Sequence, residues 1–69
     1  MMTPAAFHAW RKHMRLSQKA AGEALGVSQR MVAYYEAGER QSGPVAVPRA
    51  VELACAALAL GIRSYDGPQ

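Results

Sequence analysis

The sequence predicts an all-α fold, a compact domain of four or five short helices that takes up all 69 residues. Three observations predict it. Apolar residues recur at helical spacing, and the segments that carry them begin at threonine, serine or proline, with a glycine at the end of three of the four. No stretch alternates apolar and polar residues as a half-buried strand does.

The first helix is predicted from about Pro4 to Met14. Thr3 is a preferred N-cap residue, and proline is favoured at the first helical position because its missing N–H has no partner there in any case. The residues Phe7, Trp10 and Met14 then follow at helical spacing and predict the buried stripe.

The second and third helices are predicted to lie close together. Ser17 is an N-cap for a helix over Gln18–Leu25, which Gly26 ends in a left-handed conformation. Ser28 caps the next helix over Gln29–Ala37, so only about three residues separate the two. Two short helices joined by such a tight turn form a helix-turn-helix, here residues 17–37, whose second helix can enter a DNA major groove.

A fourth helix is predicted over residues 48–60, after a loop from Glu39 to Val47 in which a short helical turn is possible. This helix is apolar nearly all round, so one small domain covers only one of its faces. We expect the other face to pair with a second copy, and residues 62–69 to form a frayed tail. The candidate interface residues are Leu53, Ala57, Leu58 and Leu60.

The residues around the turn resemble the lambda-repressor-like (Cro/CI-type) helix-turn-helix family of bacterial and phage transcriptional regulators. The resemblance lies in the joint spacing of Ser17-Gln18, Leu25-Gly26-Val27-Ser28 and Tyr35-Glu36-Ala37-Gly38-Glu39-Arg40. The chain departs from the family at Ala21-Gly22, where a large apolar residue and alanine are usual, and in a longer loop after the third helix. The resemblance implies a DNA-binding regulator, most simply a repressor that binds a near-palindromic operator as a homodimer.

The outward face of the third helix supplies the candidate base-reading residues. Helical angles place Met31, Val32 and Tyr35 on the opposite, core side. Glutamine pairs with adenine and arginine with guanine in the major groove, while alanine permits close approach. The alternative interpretation is that Gln29 and Arg30, in the first turn, are ordinary surface residues with no role in binding. The predicted base-reading set is Gln29, Arg30, Ala33 and Tyr34.

Candidate contacts to the DNA backbone surround the two helix starts. The N–H groups at a helix N-terminus favour phosphate, and the resemblance assigns Gln18 to the DNA backbone. The two serines serve as caps in any case, and the lysine and arginine could instead be solvated charges. The whole net charge of +3, itself modest, lies in residues 1–40, and this concentration points to a polyanionic partner. The predicted backbone set is Ser17, Gln18, Lys19, Ser28 and Arg40.

A structural ion pair is predicted between Arg11 and Glu36. Helical spacing places Arg11 inside the apolar stripe of the first helix, where an unpaired guanidinium is costly. Glu36 borders the core face of the third helix and is the natural partner, which the family resemblance also supports.

Other function classes have little support. With one cysteine, Cys55, and two histidines at unsuitable spacing, we expect neither a disulfide nor a metal site, and that thiol is predicted to be buried or at an interface. No catalytic set, cofactor motif, small-molecule site, signal peptide or membrane span is evident, so we expect a cytoplasmic non-enzyme. A protein-interaction module, such as an antitoxin-like adaptor, and an excised part of a longer regulator are the alternatives. The start at Met1 and the predicted tail favour an intact small protein.

Overall fold

The computed structural model describes residues 1–68 and contains four α-helices. Gln69, the last residue of the predicted tail, lies outside the described residues. The all-α class is confirmed, with a very short two-stranded hairpin in addition. The elements in chain order are α1 (Pro4–His13), α2 (Gln18–Leu25), α3 (Gln29–Ala37), β1 (Glu39–Arg40), β2 (Gly43–Pro44) and α4 (Arg49–Ala59).

The first three helices begin at the residues that the sequence predicts. The hydroxyl oxygens of Thr3, Ser17 and Ser28 each accept a hydrogen bond from the backbone N–H three residues ahead, at 3.0, 3.0 and 3.1 Å. Each cap satisfies an N–H group that has no partner within the helix. Gly26 and Gly38 then end α2 and α3 with φ of 77° and 76°, in the left-handed region that favours glycine.

The turn between α1 and α2 contains a left-handed residue that is not glycine. Arg15 has φ of 59°, directly after the helix ends. Its N–H donates to the Lys12 carbonyl at 3.0 Å, and the Leu16 N–H donates to the Arg11 carbonyl at 3.1 Å. These two bonds form a Schellman motif, which turns the chain sharply towards α2.

The segment predicted as a loop, Glu39–Val47, contains the hairpin, which no pattern in the sequence predicted. Glu39 pairs with Pro44 and Arg40 with Gly43, antiparallel, around the turn at residues 41–42. Strands of two residues are too short to show an alternating pattern, and backbone pairing alone defines them. Residues 45–48 are not helical, so the possible helical turn is not formed, and α4 begins one residue later than predicted.

Aromatic residues from α1 and α3 form the centre of the core. The Phe7 ring lies 5.5 Å from Trp10 and 5.4 Å from Tyr35, the second contact edge-to-face. Phe7, Val32 and Cys55 are the largest fully buried side chains, and the smaller Ala21 is fully buried as well. The Trp10 indole N–H donates to the backbone carbonyl of Cys55 at 3.0 Å, which fixes α4 against α1.

Close packing between α2 and the following turn depends on Gly22. A Cβ atom at this position would lie 2.7 Å from the backbone oxygen of Val27 and 3.2 Å from the N atom of Gln29. The absent side chain therefore sets how closely α3 approaches α2. Within residues 1–68, no helix is long and apolar enough to cross a membrane.

Candidate nucleic-acid interface

The outer side of α3 carries the four residues predicted to read bases. Gln29 and Arg30 in its first turn are exposed, while Ala33 and Tyr34 in the second turn are partly buried. The opposite side of the helix is held in the core by Val32 and Tyr35. The polar side of α3 therefore faces outward, and its small residue lies between the longer side chains.

The predicted backbone contacts are divided between the starts of α2 and α3 and the hairpin. Ser17, Lys19 and Ser28 are exposed, and Gln18 is half-buried. Both serine oxygens accept a cap bond, which leaves the hydroxyl protons available to an external acceptor. Arg40 lies apart from these residues, in β1.

Arg11 and Glu36 are in direct contact across the junction of α1 and α3. The guanidinium donates from Nε to Glu36 Oε2 and from Nη2 to Oε1, the latter at 3.0 Å. Its Nη1 donates to the Leu16 carbonyl at 2.9 Å, so one side chain joins α1, the following turn and α3. Each of the two side chains is only 11% exposed.

This contact changes the acidity of Glu36. Hydrogen bonding from Arg11 lowers the pKa of the Glu36 carboxyl from 4.5 to about 2, against the opposing effect of burial. Hydrogen bonding from His8, the charge of Arg11 and hydrogen bonding from Gln18 contribute smaller parts of this same shift. The same contact raises the pKa of Arg11. The carboxylate is thus the ionised form at this junction.

Sequence reasoning missed the third member of this group, His8. Its Nδ1 lies 2.8 Å from Glu36 Oε1, and because a carboxylate can only accept, Nδ1 carries the proton. His8 precedes Arg11 by three residues, so both project from the same face of α1. The three-residue spacing could have predicted the contact from the sequence, because it places His8 beside any side chain that pairs with Arg11.

The structure also brings together two predicted residues whose contact the sequence did not indicate. The Arg40 guanidinium carbon lies 5.9 Å from the centre of the Tyr34 ring. Arg40 Nε donates to the Ser42 hydroxyl at 3.0 Å across the hairpin turn. The hairpin therefore returns Arg40 to the side of α3 that carries the base-reading set.

The four candidate interface residues of α4 do not share one environment. Leu53 and Leu60 are 54% and 79% exposed. Ala57 and Leu58 are half-buried, and Leu58 packs against the core.

Cys55 is buried, and this burial, with a smaller effect from Glu52, raises the pKa of its thiol to about 11. Among residues 1–68, no group of three histidine, cysteine, aspartate or glutamate side chains could hold a metal ion.

Comparisons with known proteins agree with the fold of the chain. A helix-turn-helix family model matches residues 7–47, from within α1 to the segment between the hairpin and α4. A solved crystal structure, that of a protein from Nitrosomonas europaea provisionally assigned as DNA-binding, is similar with a TM-score of 0.72 and 32% sequence identity. The match covers 97% of this chain and 41% of the other, so the chain spans less than half of that protein's length. A search of curated proteins found no match.

Proposed function

Because the chain belongs to the helix-turn-helix family, we propose that it is a sequence-specific DNA-binding protein that regulates transcription. The observation that carries the proposal is the outward-facing polar side of α3, whose opposite side is buried. A helix held in this way can enter the major groove and present its hydrogen-bonding side chains to the base edges.

The proposed mechanism assigns base reading to α3. Gln29 and Arg30 lie in its exposed first turn, the part of a recognition helix that reaches base edges. Glutamine forms paired hydrogen bonds with adenine, and arginine forms them with guanine. Ala33 permits close approach to a thymine methyl group, and Tyr34 reaches a base edge or a nearby phosphate.

The start of α2 supplies a sequence-independent anchor. Ser17, Gln18 and Lys19 surround a helix N-terminus, where backbone N–H groups and the helix dipole favour phosphate. Ser28 adds a second hydroxyl at the start of α3. Such contacts fix the position of the protein on the duplex and leave the choice of sequence to α3.

We further propose that two copies bind together through α4. Leu53 and Leu60 are seven residues apart and therefore project from the same side of the helix, where both are exposed. A two-fold dimer would present two copies of α3 to half-sites about 34 Å apart on a near-palindromic operator. Occupation of that operator excludes other proteins from the same DNA, so repression is the regulatory outcome we propose.

Selection of bound duplexes from a random pool tests the function directly. We expect an enriched, two-fold symmetric sequence. On that sequence Arg30→Ala should cost about 1–3 kcal/mol and relax specificity at one base pair, while Lys19→Ala should weaken binding to all sequences alike. If no duplex is enriched, or if both variants bind as the parent does, the assignment is wrong.

The exposed apolar residues of α4 are also compatible with the alternative function, docking of another protein. Salt dependence separates the two functions. A DNA-binding protein that makes about six phosphate contacts loses roughly 10³-fold in affinity between about 50 and 200 mM salt. An apolar docking surface would respond little to the same change.

A further inference from the structure

A groove lies between α1 and α4, outside the helix-turn-helix. Its volume is about 310 Å³, which is at the lower end of the range for small-molecule sites. The lining residues belong to the first residues of the chain, to α1 and to α4, so no local pattern in the sequence indicates the groove. Its principal apolar lining residues are Met1, Met2, Ala6, Trp10, Ala56 and Ala59.

The two helical walls of the groove are joined at its base. The Trp10 indole N–H donates to the Cys55 carbonyl at 3.0 Å, and Trp10 is only 8% exposed. Ala6, Ala56 and Ala59 are exposed, and their methyl side chains are too short to fill the space between the helices. The groove is therefore already formed in the folded chain, as small-molecule sites usually are.

Glu52 supplies negative charge to this groove. Among the described residues that line it, Glu52 has the only charged side chain. Its carboxylate is 29% exposed, and Oε1 lies 3.6 Å from the amino nitrogen of Met1. This distance is longer than a hydrogen bond, so the carboxylate can still accept one from another donor. A carboxylate beside apolar surface favours a cationic ligand and disfavours an anionic one.

We propose that the groove binds a small amphipathic cation, with the ammonium group of the ligand on the Glu52 carboxylate and its apolar part against Ala6, Trp10 and Ala59. A volume of about 310 Å³ corresponds to about ten groups of the size of water, at roughly 30 Å³ each. The two bordering methionines are unbranched and flexible, so they can adapt to the apolar part. Binding of such a ligand is independent of the proposed DNA contacts, which lie on α2, α3 and the hairpin.

Two observations favour a small cation over a second copy of the chain as the occupant. Leu53, an exposed residue of the proposed dimer, follows Glu52 directly, and adjacent residues of an α-helix project about 100° apart. The dimer side of α4 therefore points away from the carboxylate. A second copy seated on the groove would also enclose the Glu52 carboxylate in apolar surroundings, which is costly without a cationic partner. A ligand that carries its own ammonium group avoids this cost.

Trp10 makes binding measurable in the parent protein, because it is the single tryptophan of the chain and it lines the groove. The probes are phenylbutylamine, phenylbutanol and phenylbutyrate, which share an apolar part and differ in charge. Trp10 fluorescence and the NMR signal of its indole N–H report their binding. We expect the amine to bind with a Kd of about 1 mM. The alcohol should bind about three- to fivefold more weakly than the amine, and the carboxylate more weakly than the alcohol. Equal binding of the three probes, or NMR changes confined to residues outside the groove, would overturn the assignment.

Glu52→Gln tests the ion pair between ligand and protein. In this variant the amine should bind no more tightly than the alcohol, while the alcohol should bind as it does to the parent, within about twofold. Glu23→Gln, at an exposed position of α2, removes the same charge outside the groove and is the matched control. It should keep the preference for the amine. If Glu52→Gln also keeps that preference, this carboxylate does not hold the ammonium group and the proposal is wrong.

Ala59→Phe tests the position of the apolar part. The larger side chain fills the groove from the side of α4 and should weaken binding of the amine and the alcohol about tenfold. Ala9→Phe adds the same side chain at an exposed position of α1 and should bind both probes as the parent does. Circular dichroism establishes that each variant is folded, and Ala6→Phe fills the groove from the opposite wall if Ala59→Phe is not. Unchanged binding in a folded, filled variant would place the ligand elsewhere and refute the proposal.

Repetition of the amine titration over a range of protein concentrations tests the occupant. The Kd should not depend on protein concentration. If a second copy covers the groove, the apparent Kd rises as the protein associates, and the small cation is then not its natural occupant.

Discussion

At the scale of single residues, Glu36 joins parts of the chain that are far apart in sequence. Both of its carboxylate oxygens accept a hydrogen bond from Arg11, and one of them also accepts from His8. Arg11 donates a further hydrogen bond to the Leu16 carbonyl. These hydrogen bonds fix α1 against the last turn of α3, the helix proposed to enter DNA. Its removal would leave a nearly buried guanidinium without its charge partner, which is costly.

The stability of the fold should therefore fall in acid through Glu36. The pKa of this carboxyl is about 2 in the folded state, below its ordinary value of 4.5, which applies to the unfolded chain. The ionised form therefore stabilises the fold above about pH 4.5. That contribution is lost as the pH falls from about 4.5 towards 2. A tenfold change in acidity is worth about 1.4 kcal/mol, so the loss is roughly 3 kcal/mol before solvent screening reduces it. Urea denaturation of the parent protein and Glu36→Gln across this range measures it.

The comparison between the two proteins isolates this carboxyl. Glu36→Gln should be less stable than the parent by about 2–3 kcal/mol at neutral pH, and the difference should shrink towards zero near pH 2. Glu23→Gln, at an exposed position of α2, is the matched control and should follow the parent throughout. A constant difference between parent and Glu36→Gln at every pH would contradict the ion-pair explanation.

At the scale of elements, the contact between α2 and α3 depends on the absence of a side chain at Gly22. Gly22→Val improves helix propensity, but its Cβ would meet the Val27 backbone oxygen at 2.7 Å, and its methyl groups would lie beyond that point. Backbone atoms on a tight turn cannot move away as a flexible side chain does. We expect Gly22→Val to lower the free energy of unfolding by more than about 2 kcal/mol, as measured by thermal or urea denaturation.

The matched control for this substitution is Ala24→Val, which introduces the same side chain at an exposed position of the same helix. It should cost less than about 1 kcal/mol, because only helix propensity changes. DNA binding gives a second measure, since any Gly22→Val protein that folds should hold α3 at an altered angle to α2. Equal stability of the two variants would show that the turn is not closely packed.

The parts of the fold that the sequence predicts are those set by local chemistry. The caps Thr3, Ser17 and Ser28 act on N–H groups three residues ahead, so a short window of sequence contains all the information needed. The hairpin was missed because its pairing is between backbone groups, and the contact between Tyr34 and Arg40 depends on that pairing. The bond from His8 to Glu36 was missed although His8 lies three residues before Arg11, a spacing that places both side chains on the same face of α1 and near the same partner.

At the scale of the whole molecule, α4 has two sides with different tasks. One side is fixed to the core, where the Cys55 carbonyl accepts from Trp10 and Leu58 packs beside it. The other side exposes Leu53 and Leu60. A domain of 69 residues gains little stability from its own core, so burial of this second side in a dimer is a substantial addition.

Sedimentation of charge-introducing variants tests the dimer. The parent chain has a mass of 7.4 kDa and should sediment at twice that value at micromolar concentration. Leu53→Glu and Leu60→Glu should sediment as monomers, because dimerisation would bury two facing carboxylates in an apolar contact. Leu58 is unsuitable for this test, since its contact with the core would confound dissociation with unfolding. Ala9→Glu adds the same charge to an exposed position of α1 and should remain dimeric. If the parent and all three variants share a monomeric mass, α4 does not mediate association, and the two-fold operator must be abandoned with it.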